Sequence, residues 1–454
     1  METRGRIGII GGGLTGLTTA YRLAQAGHDV TLFESQPVLG GQAATFPVEG
    51  TRLEIFYHHI FTSDVHIIAL VDELGLGDQW QWLPSKMGYF HGGQVYDFVT
   101  PLDLLRFSPL SFLDRIRCGL LTLYLQRTAN GLKFERYTAS EWLRRAAGER
   151  AYKVLFEPPL RGKFGDHYHE VSMTWFWGKV RLRAGSRKGG MTKEVLGYPK
   201  GSFQILLDAL AERIRSLGGR VYTSAPVRRV VVEGGRAAGL QIARGVLSEL
   251  GATHAQADPD VALFDKVIAT VPSPIFLSLA PDLPAPYAAK LRWVRYQTAL
   301  CLILKMKGSL SRIYWLNISD PQMRFVAAIE HTNYVPAEAY GGYRLLYLSN
   351  YLERDDPLCS MSKEELLATY TSSAQRINPA FSPEWVVESW LFRDDAGQPI
   401  VTRDYAQHIP EHRTPIPDLY LANTTQIYPE DRGTNYSVRL GQDIAALVDG
   451  DIKQ

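Results

Sequence analysis

The hydrophobic positions at the amino end of the chain change period twice, and they predict a strand, a helix and a second strand. Ile7 to Ile10 form a short apolar run of the kind found in buried parallel strands. Apolar residues then recur every three or four positions as far as Gly27, a residue suited to ending a helix. Val30 begins a second strand, which ends at the acid Glu34. The chain therefore opens with a βαβ unit.

The same patterns divide the rest of the chain into further elements. Strands and helices alternate at both ends, which is typical of an α/β fold. Long strand-like runs between residues 273 and 400 favour a mixed or antiparallel sheet. The other predicted elements are a hairpin over Met87–Val99, helices over residues 101–160, a meander of Pro226–Val232 with Ala237–Ile242, and a last helix over Ser437–Val448.

The turn between the first strand and the first helix has the glycine pattern GxGxxG over residues 11–16. The first glycine permits a tight turn, the second lets the backbone approach a pyrophosphate, and the third lets the helix pack closely on the strand. Glu34 lies 18 residues past the last glycine, close to the roughly 20 expected for a carboxylate that binds ribose hydroxyls. The predicted dinucleotide contacts are Gly11, Gly13, Leu14, Thr15, Gly16, Glu34 and Ser35.

A second glycine pair, Gly40-Gly41, follows this acid and lets the main chain lie flat against an extended ligand. The stretch resembles the second signature of the FAD superfamily that holds monoamine oxidase, protoporphyrinogen oxidase, carotenoid desaturases and UDP-galactopyranose mutase. Many members have Arg-x-Gly-Gly-Arg, and Val38 and Gln42 occupy the arginine positions here. The resemblance implies FAD as the cofactor, with contacts from Gly40, Gly41, Gln42 and Ala43.

Two histidine motifs are candidates for chemistry. The run from His59 to Thr62 is similar to the His-Ile-Phe-His-Thr stretch of UDP-galactopyranose mutase, which lies beside the flavin. That similarity implies a catalytic position for His59, with a structural histidine as the alternative. His167 and His169 would share a face if they lay on a strand, but no further histidine or cysteine cluster accompanies them. We therefore predict no metal site.

The middle and the carboxyl end also resemble this superfamily. There the residue matching Val227 binds the adenine through its backbone, and an acid between the last strand and the last helix lies near the ribityl–pyrophosphate portion. Arg393–Pro399 matches a segment near the flavin. The N-terminus of the last helix would face the flavin edge that becomes negative on reduction. The implied contacts are Val227, Asp431, Asn435, Tyr436, Ser437 and Val438.

The resemblance further implies a Rossmann-like FAD-binding domain of the glutathione-reductase-2 type, joined to an α+β substrate domain with a helical cap. We expect the FAD-binding domain to be discontinuous and to comprise residues 1–85, 195–275 and 400–454. The substrate and cap domain would then comprise residues 86–194 and 276–399.

Composition limits the classes of function. A chain of 454 residues with 45% hydrophobic and 21% charged residues is typical of globular proteins. Its net charge of +2 gives no reason to expect nucleic-acid binding. The three cysteines are scattered, the first residues contain no apolar signal region, and no stretch of about 18 apolar residues is present. We expect a cytoplasmic protein without a transmembrane helix.

Positive charge is concentrated between residues 175 and 200, where seven Lys or Arg accompany one acid, Glu194. Such a segment is either a solvated loop or a site for an anion. Arg161 and Lys163 precede it, and we interpret them as charged groups lining a cavity. Arg161 and Lys200 are the substrate-binding candidates, and Lys163 joins His59 as a catalytic candidate.

A helix with both apolar and basic residues is predicted to start at Ser111, where Ser-x-x-Asp resembles a capping box. Such a helix can lie on a membrane surface, but the pattern is more typical of a cap helix packed on its own domain. We therefore expect the apolar stripe to be buried, with peripheral membrane contact as the alternative. The stripe comprises Ile116, Leu120, Leu123 and Tyr124, flanked by Arg115, Arg117 and Arg127.

The motifs that are missing narrow the function. No second GxGxxG opens a βαβ unit, which argues against a nicotinamide-fed reductase, and no GxSxG motif indicates a hydrolase. We expect an FAD-dependent oxidoreductase of the protoporphyrinogen oxidase or desaturase type, which passes hydride from an anionic or hydrophobic substrate to FAD and then to oxygen or a quinone. The alternatives are a mutase acting on a nucleotide sugar and a membrane-surface flavoprotein without turnover of its own.

Overall fold

The computed structural model describes residues 4–185, 194–242 and 260–454. Its first elements are β1 (Arg6–Ile10), α1 (Leu14–Gln25), β2 (Asp29–Phe33), β3 (Thr45–Val48), β4 (Thr51–Glu54), β5 (Ile60–Phe61), α2 (Val65–Glu73), β6 (Trp80–Pro84), β7 (Met87–His91) and β8 (Gln94–Asp97). A helical region follows with α3 (Pro101–Arg106), α4 (Phe112–Arg127), α5 (Ala139–Ala147), α6 (Glu149–Ala151), α7 (Glu157–Phe164) and α8 (Met173–Gly185).

The middle of the chain forms β9 (Val195–Pro199), α9 (Gln204–Ser216), β10 (Arg220–Tyr222), β11 (Val227–Glu233), β12 (Arg236–Ile242), β13 (Val261–Leu263), β14 (Lys266–Ala269), α10 (Ser273–Leu279) and α11 (Ala285–Trp293). The last part forms β15 (Tyr296–Met306), β16 (Trp315–Ile318), β17 (Ala327–Glu330), β18 (Arg344–Leu352), α12 (Lys363–Ile377), β19 (Val386–Pro399), β20 (Leu419–Leu421) and α13 (Thr434–Lys453).

One sheet draws its strands from the beginning, middle and end of the chain. Its order is β10-β2-β1-β14-β20, and every neighbouring pair is parallel. Apolar side chains on both faces of β1 and β14 are fully buried, as expected where helices cover a parallel sheet. This arrangement confirms the predicted α/β class with a Rossmann-like sheet.

A second sheet has the order β19-β15-β18-β17-β16-β7-β8. Its neighbours are antiparallel except β16 and β7, so the sheet is mixed, as the strand-like runs predicted. The predicted hairpin β7–β8 forms one edge. Helix α12 packs on one face through Leu366, Tyr370 and Ala374. The domain boundaries given above remain a prediction.

Helices α3 to α8 form a cap with its own hydrophobic core. Here the expectation for α4 is wrong. The helix buries Cys118, Leu121 and Leu125 and turns the predicted apolar stripe to solvent. Both faces of α4 are apolar, so the 3.6-residue period identified the stripe correctly but could not tell which face meets the core.

Two other elements differ from their predictions. Residues 175–185 of the basic segment are helical rather than a solvated loop, while its residues 187, 188 and 193 lie outside the described residues. The last helix begins at Thr434, three residues earlier than the hydrophobic pattern indicated. Its first turn is polar, so the apolar period starts only after the helix has begun.

Candidate active site

The glycine turn before α1 leaves one side open for a ligand. Gly11 has a φ of 107°, and a Cβ on Gly16 would lie 2.0 Å from the Gly11 carbonyl oxygen. These two glycines are thus required by the turn and by the packing of α1. A Cβ on Gly13 would meet only the Gly40 oxygen, at 4.0 Å. The position of the second glycine therefore borders open space, as a pyrophosphate site requires.

Helix α1 begins at this turn, and the backbone N–H groups of its first turn can bind an anion. Leu14 and Thr15 form its first turn, which has no acidic residue and no side-chain cap. The first N–H groups of a helix have no intrahelical acceptor, and the helix dipole favours an anion there. The N-terminus of α1 therefore suits a phosphate.

Glu34 is fixed directly beside this turn. One carboxylate oxygen accepts a hydrogen bond from the Gly12 N–H at 2.7 Å. The other accepts from the Gln36 N–H at 2.8 Å and from the Ser35 hydroxyl at 3.1 Å. The Glu34 carbonyl accepts from Ala225 at 2.8 Å, two residues before Val227 at the start of β11. The predicted ribose and adenine residues thus lie on adjoining segments.

The second glycine pair lies against the first motif. The Gly40 N–H donates to the Gly12 carbonyl at 2.8 Å, and both Gly40 and Gly41 have positive φ. Ala43 is buried behind them. We call the two glycine segments, residues 11–16 and 40–43, the glycine cradle.

Gln42 links the glycine cradle to the second sheet. Its amide nitrogen donates to the Asp394 carboxylate at 2.7 Å and to the Ala396 carbonyl at 3.3 Å. Both partners belong to β19, within the segment Arg393–Pro399 that the resemblance connects with the flavin. The side chain at this family arginine position therefore joins the glycine cradle to the second sheet.

Helix α13 meets the cradle from the other end of the chain. It packs on α1 so closely that a Cβ on Gly441 would lie 2.7 Å from the Thr15 carbonyl oxygen. Like α1, α13 has no acid in its first turn and no side-chain cap, whereas α3, α5 and α12 all have capping boxes. Two uncapped helix starts and an open glycine cradle fit FAD, whose pyrophosphate lies between its adenosine and its flavin.

The four residues of α13 that were predicted to contact FAD differ from one another in burial and in hydrogen bonding. The Asn435 side-chain oxygen accepts from the His66 and Ile67 N–H groups at 2.9 and 3.2 Å, so it caps α2. Val438 is buried in the core shared with α1. Tyr436 and Ser437 are half-buried. The backbone of this first turn, more than the Asn435 side chain, is therefore available to a ligand.

His59 is held among aromatic rings. Its Nδ1 lies 3.0 Å from the Tyr314 hydroxyl, and the rings of Phe61 and Trp315 are within 5.7 Å of its own. Burial lowers the pKa of His59 to about 3, and the positive charges of Arg183 and Lys179 act in the same direction. The imidazole is therefore neutral at physiological pH.

Two lysines share one carboxylate in the interior. The Nζ atoms of Lys163 and Lys179 lie 2.6 and 2.8 Å from the same Asp431 oxygen, and the Trp175 indole N–H donates to the other at 3.3 Å. Burial favours the neutral acid, but the lysines outweigh it and hold the pKa of Asp431 well below its usual range. Arg432 adds a further cation next to Asp431. We call Lys163, Lys179 and Arg432 the cationic cluster.

The other substrate candidates lie elsewhere. Arg161 is exposed and donates to the Tyr168 hydroxyl at 3.3 Å, with the Glu157 carboxylate 3.5 Å away. Lys200 is exposed and bonds the Asp78 carbonyl at 3.4 Å. Neither bonds Asp431. The sequence did not single out Arg432 or Tyr314, because their partners are far away along the chain.

The described residues contain no group of three or more His, Cys, Asp or Glu arranged to hold a metal ion. His167 lies in the 3-10 turn Gly165–His169, not on a strand, and its Nδ1 is 2.8 Å from the Glu170 carboxylate. In the described parts of the chain, no helix has the length and apolar character needed to cross a membrane.

Curated relatives match about half of this chain, and the matched part spans about half the length of the first of them. The 15-cis-phytoene desaturase of Synechococcus elongatus is 27% identical over 244 residues, which is 50% of this chain and 51% of that protein. The phytoene desaturase of Solanum lycopersicum is 41% identical over 243 residues, covering 49% of this chain and 41% of its own.

Solved structures match nearly the whole chain in fold. A candidate protoporphyrinogen oxidase from Exiguobacterium sp. 255-15 superposes with a TM-score of 0.77 at 19% identity, covering 99% of this chain and 100% of its own. Reduced UDP-galactopyranose mutase superposes with a TM-score of 0.73 at 18% identity, covering 99% of each chain. The sequence profile of the flavin containing amine oxidoreductases matches residues 14–429. The chain therefore belongs to the flavin containing amine oxidoreductase family, which confirms the FAD cofactor and the oxidoreductase class that the sequence predicts.

Proposed function

We propose that this chain oxidises a small organic substrate by hydride transfer and that oxygen or a quinone takes the electrons away. FAD bound in the glycine cradle would supply the hydride acceptor. The contact that carries the proposal is the hydrogen bond between Gln42 and Asp394. Because it holds the end of β19 against the cradle, it supports a site in which the substrate lies between the second sheet, the cap and the flavin.

The protein residues would position the substrate and exclude water, since the flavin carries out the redox chemistry. His59 would donate a hydrogen bond through Nε2, because Tyr314 occupies its Nδ1. A neutral imidazole whose pKa is about 3 is a poor proton acceptor at neutral pH. We therefore assign His59 a positioning role toward flavin or substrate.

A second candidate function is an isomerase acting on a nucleotide sugar, as in UDP-galactopyranose mutase. The observation that favours it is the position of His59 beside charges that suit a diphosphate: Lys179 and Arg183 both lower its pKa. Such an enzyme works with reduced flavin and without net oxidation of its substrate. Its requirement for a reductant separates it from an oxidase.

The two functions can be distinguished by anaerobic mixing of the FAD-loaded protein with porphyrinogens, carotenoid precursors, amines and nucleotide sugars. If one of these substrates alone bleaches the oxidised flavin band, the oxidase is supported. If a nucleotide sugar is converted only after dithionite reduction, the mutase is supported. A protein that responds to none of them in either state contradicts both functions.

We also propose that α4 rests on a membrane surface. Its solvent side carries Phe112 (64% exposed), Leu113 (78%) and Leu120 (64%), together with the rest of the predicted stripe. Leu102 and Leu105 of α3 are exposed as well. Exposed apolar patches of this kind are typical of membrane or protein contacts.

The net positive charge around α4 favours a membrane surface over a protein as the partner of this face. Residues 101–133 hold five Lys or Arg and two Asp. Both acids interact with helix starts, Asp103 with Thr100 and Asp114 with Ser111. The Lys133 ammonium donates to the Tyr124 hydroxyl at 3.0 Å, and tyrosine and lysine are suited to the headgroup region. An apolar face bordered by cations matches an anionic bilayer.

A further inference from the structure

We propose that the cationic cluster of Lys163, Lys179 and Arg432 binds an anionic group of the substrate, a carboxylate or a phosphate attached to an apolar body. The inference rests on the proposed function and specifies its substrate class. It also separates this chain from relatives that are named for amines, because a cationic amine would be repelled here.

The cluster has more positive than negative charge. Three cations surround Asp431, whose single carboxylate accepts from both lysines. Arg183 acts on both lysines, Asp394 acts on Arg432, and Asp64 acts on one of the lysines. Four cations thus face three carboxylates, and the group keeps a net positive charge of +1 even when Asp64 is ionised. Buried charge of one sign calls for a counter-charge, because desolvating uncompensated ions is costly.

Arg432 is oriented by neutral partners. Its Nε donates to the Gln398 side-chain oxygen at 3.0 Å and its Nη2 to the Tyr351 hydroxyl at 3.2 Å. Within residues 4–185, 194–242 and 260–454, no carboxylate forms an ion pair with it. A guanidinium held by an amide and a phenol keeps its full charge available to an incoming anion.

The two lysines are partly accessible. Their side chains are 19% and 32% exposed, so both can be reached. Surrounding protein nevertheless desolvates them enough to lower the pKa of each, against the raising effect of Asp431. An ammonium group that a ligand can reach but that water hydrates only in part interacts strongly with an opposite charge.

Aromatic rings lie beside the same cations. The Lys163 ammonium lies 5.7 Å from the ring centres of both Trp175 and Tyr351, and the Arg432 guanidinium 5.9 Å from that of Tyr351. Cations next to aromatic faces provide for the charged group and the apolar body of an organic anion together. The charge of Lys179 also acts on His59 and lowers its pKa. A substrate bound at the cluster would therefore extend toward His59, to which we assign a positioning role.

The test is an equilibrium titration of the FAD-loaded protein, by calorimetry and by the flavin absorbance, with inorganic pyrophosphate, succinate and 1,4-diaminobutane in turn. We expect an anion to bind and the diamine not to bind. Comparing pyrophosphate with succinate distinguishes a phosphate from a carboxylate. Lys179→Met should weaken anion binding at least tenfold. Lys290→Met is the matched control, since Lys290 pairs with Glu411 at the surface, and it should bind like the wild type.

Three results would overturn the proposal: anion binding that Lys179→Met leaves unchanged, tighter binding of the diamine than of either anion, or loss of FAD from Lys179→Met, which would assign the cluster to the cofactor. FAD content is read from the visible spectrum of each variant. These titrations need no turnover, so a failure of the proposed oxidation would leave their outcome intact and separately measurable.

Discussion

The Tyr314 hydroxyl lies 3.0 Å from Nδ1 of His59. A buried phenol needs an acceptor, and His59 is the partner found for it among the described residues. We infer that Tyr314 donates to Nδ1, which fixes the imidazole as the tautomer with its proton on Nε2. Nitrogen-15 shifts of the labelled, FAD-loaded protein should show this tautomer, and Tyr314→Phe, which keeps the ring, should yield a mixture. A proton found on Nδ1 in the wild type would contradict the inference.

The low pKa of His59 predicts a pH dependence of stability. The folded protein holds this pKa at about 3, whereas an unfolded histidine titrates near 6.5. Below pH 6.5 the unfolded chain therefore binds a proton that the folded chain does not, and the free energy of unfolding falls as pH falls toward 3. Between pH 7.5 and 5 the wild type should lose roughly 2 kcal/mol relative to His59→Gln. Urea unfolding at both pH values measures this, and a constant difference would refute it.

Gly13 and Gly16 should respond differently to alanine. A methyl group at Gly13 points into the open cradle, and its φ of −72° suits alanine. We expect Gly13→Ala to fold normally but to bind FAD at least about tenfold more weakly. A methyl group at Gly16 would overlap the Gly11 carbonyl, so Gly16→Ala should lose about 3 kcal/mol of stability.

Thermal unfolding of the FAD-free proteins and FAD titration of each variant separate these two effects. Wild-type FAD affinity in Gly13→Ala would show that the ligand does not approach this glycine. An unfolding temperature that is lowered equally in both variants would show that the packing argument for Gly16 is wrong.

The hydrogen bond between Gln42 and Asp394 should be measurable as an energetic coupling between the glycine cradle and the second sheet. Gln42→Leu and Asp394→Ala each remove it, so their combined effect on the free energy of unfolding should be smaller than the sum. We expect a coupling of about 1.5 kcal/mol, the lower end of the range for a hydrogen bond to a charged group. Denaturant unfolding of the two single variants and the double variant tests this, and strictly additive losses would exclude the coupling.

The exposed side of α4 predicts lipid binding. The wild type should float with vesicles containing about one-third phosphatidylglycerol and less with pure phosphatidylcholine, and salt should weaken binding. Leu113→Glu with Leu120→Glu should reduce binding at least about tenfold, because two apolar contacts are replaced by charges that anionic lipid repels. The matched control is Leu217→Glu with Val387→Glu, two exposed apolar residues outside the cap.

The control variant should float like the wild type. A wild type that does not bind vesicles would contradict the membrane proposal. A change from dimer to monomer in the α4 variant, seen by light scattering, would instead identify this face as an interface between copies of the chain.

The sequence best predicted the features that depend on residues close together along the chain. The cradle turn follows from local demands on Gly11 and Gly16, and Glu34 is placed by the length of one βαβ unit. The pairing of Lys179 with Asp431 joins residues 252 positions apart, so no local pattern encodes it. Charge counting found an excess of cations after residue 174, but only the fold shows that Lys179 turns inward while Lys200 stays outside.

The close packing of α13 on α1, where Gly441 fits against Thr15, has a consequence for biosynthesis. The proposed cofactor site needs α1 and α13 together, and synthesis makes α1 long before α13. The first βαβ unit therefore forms without its partner helix, and both walls of the site exist only after α13 has been made.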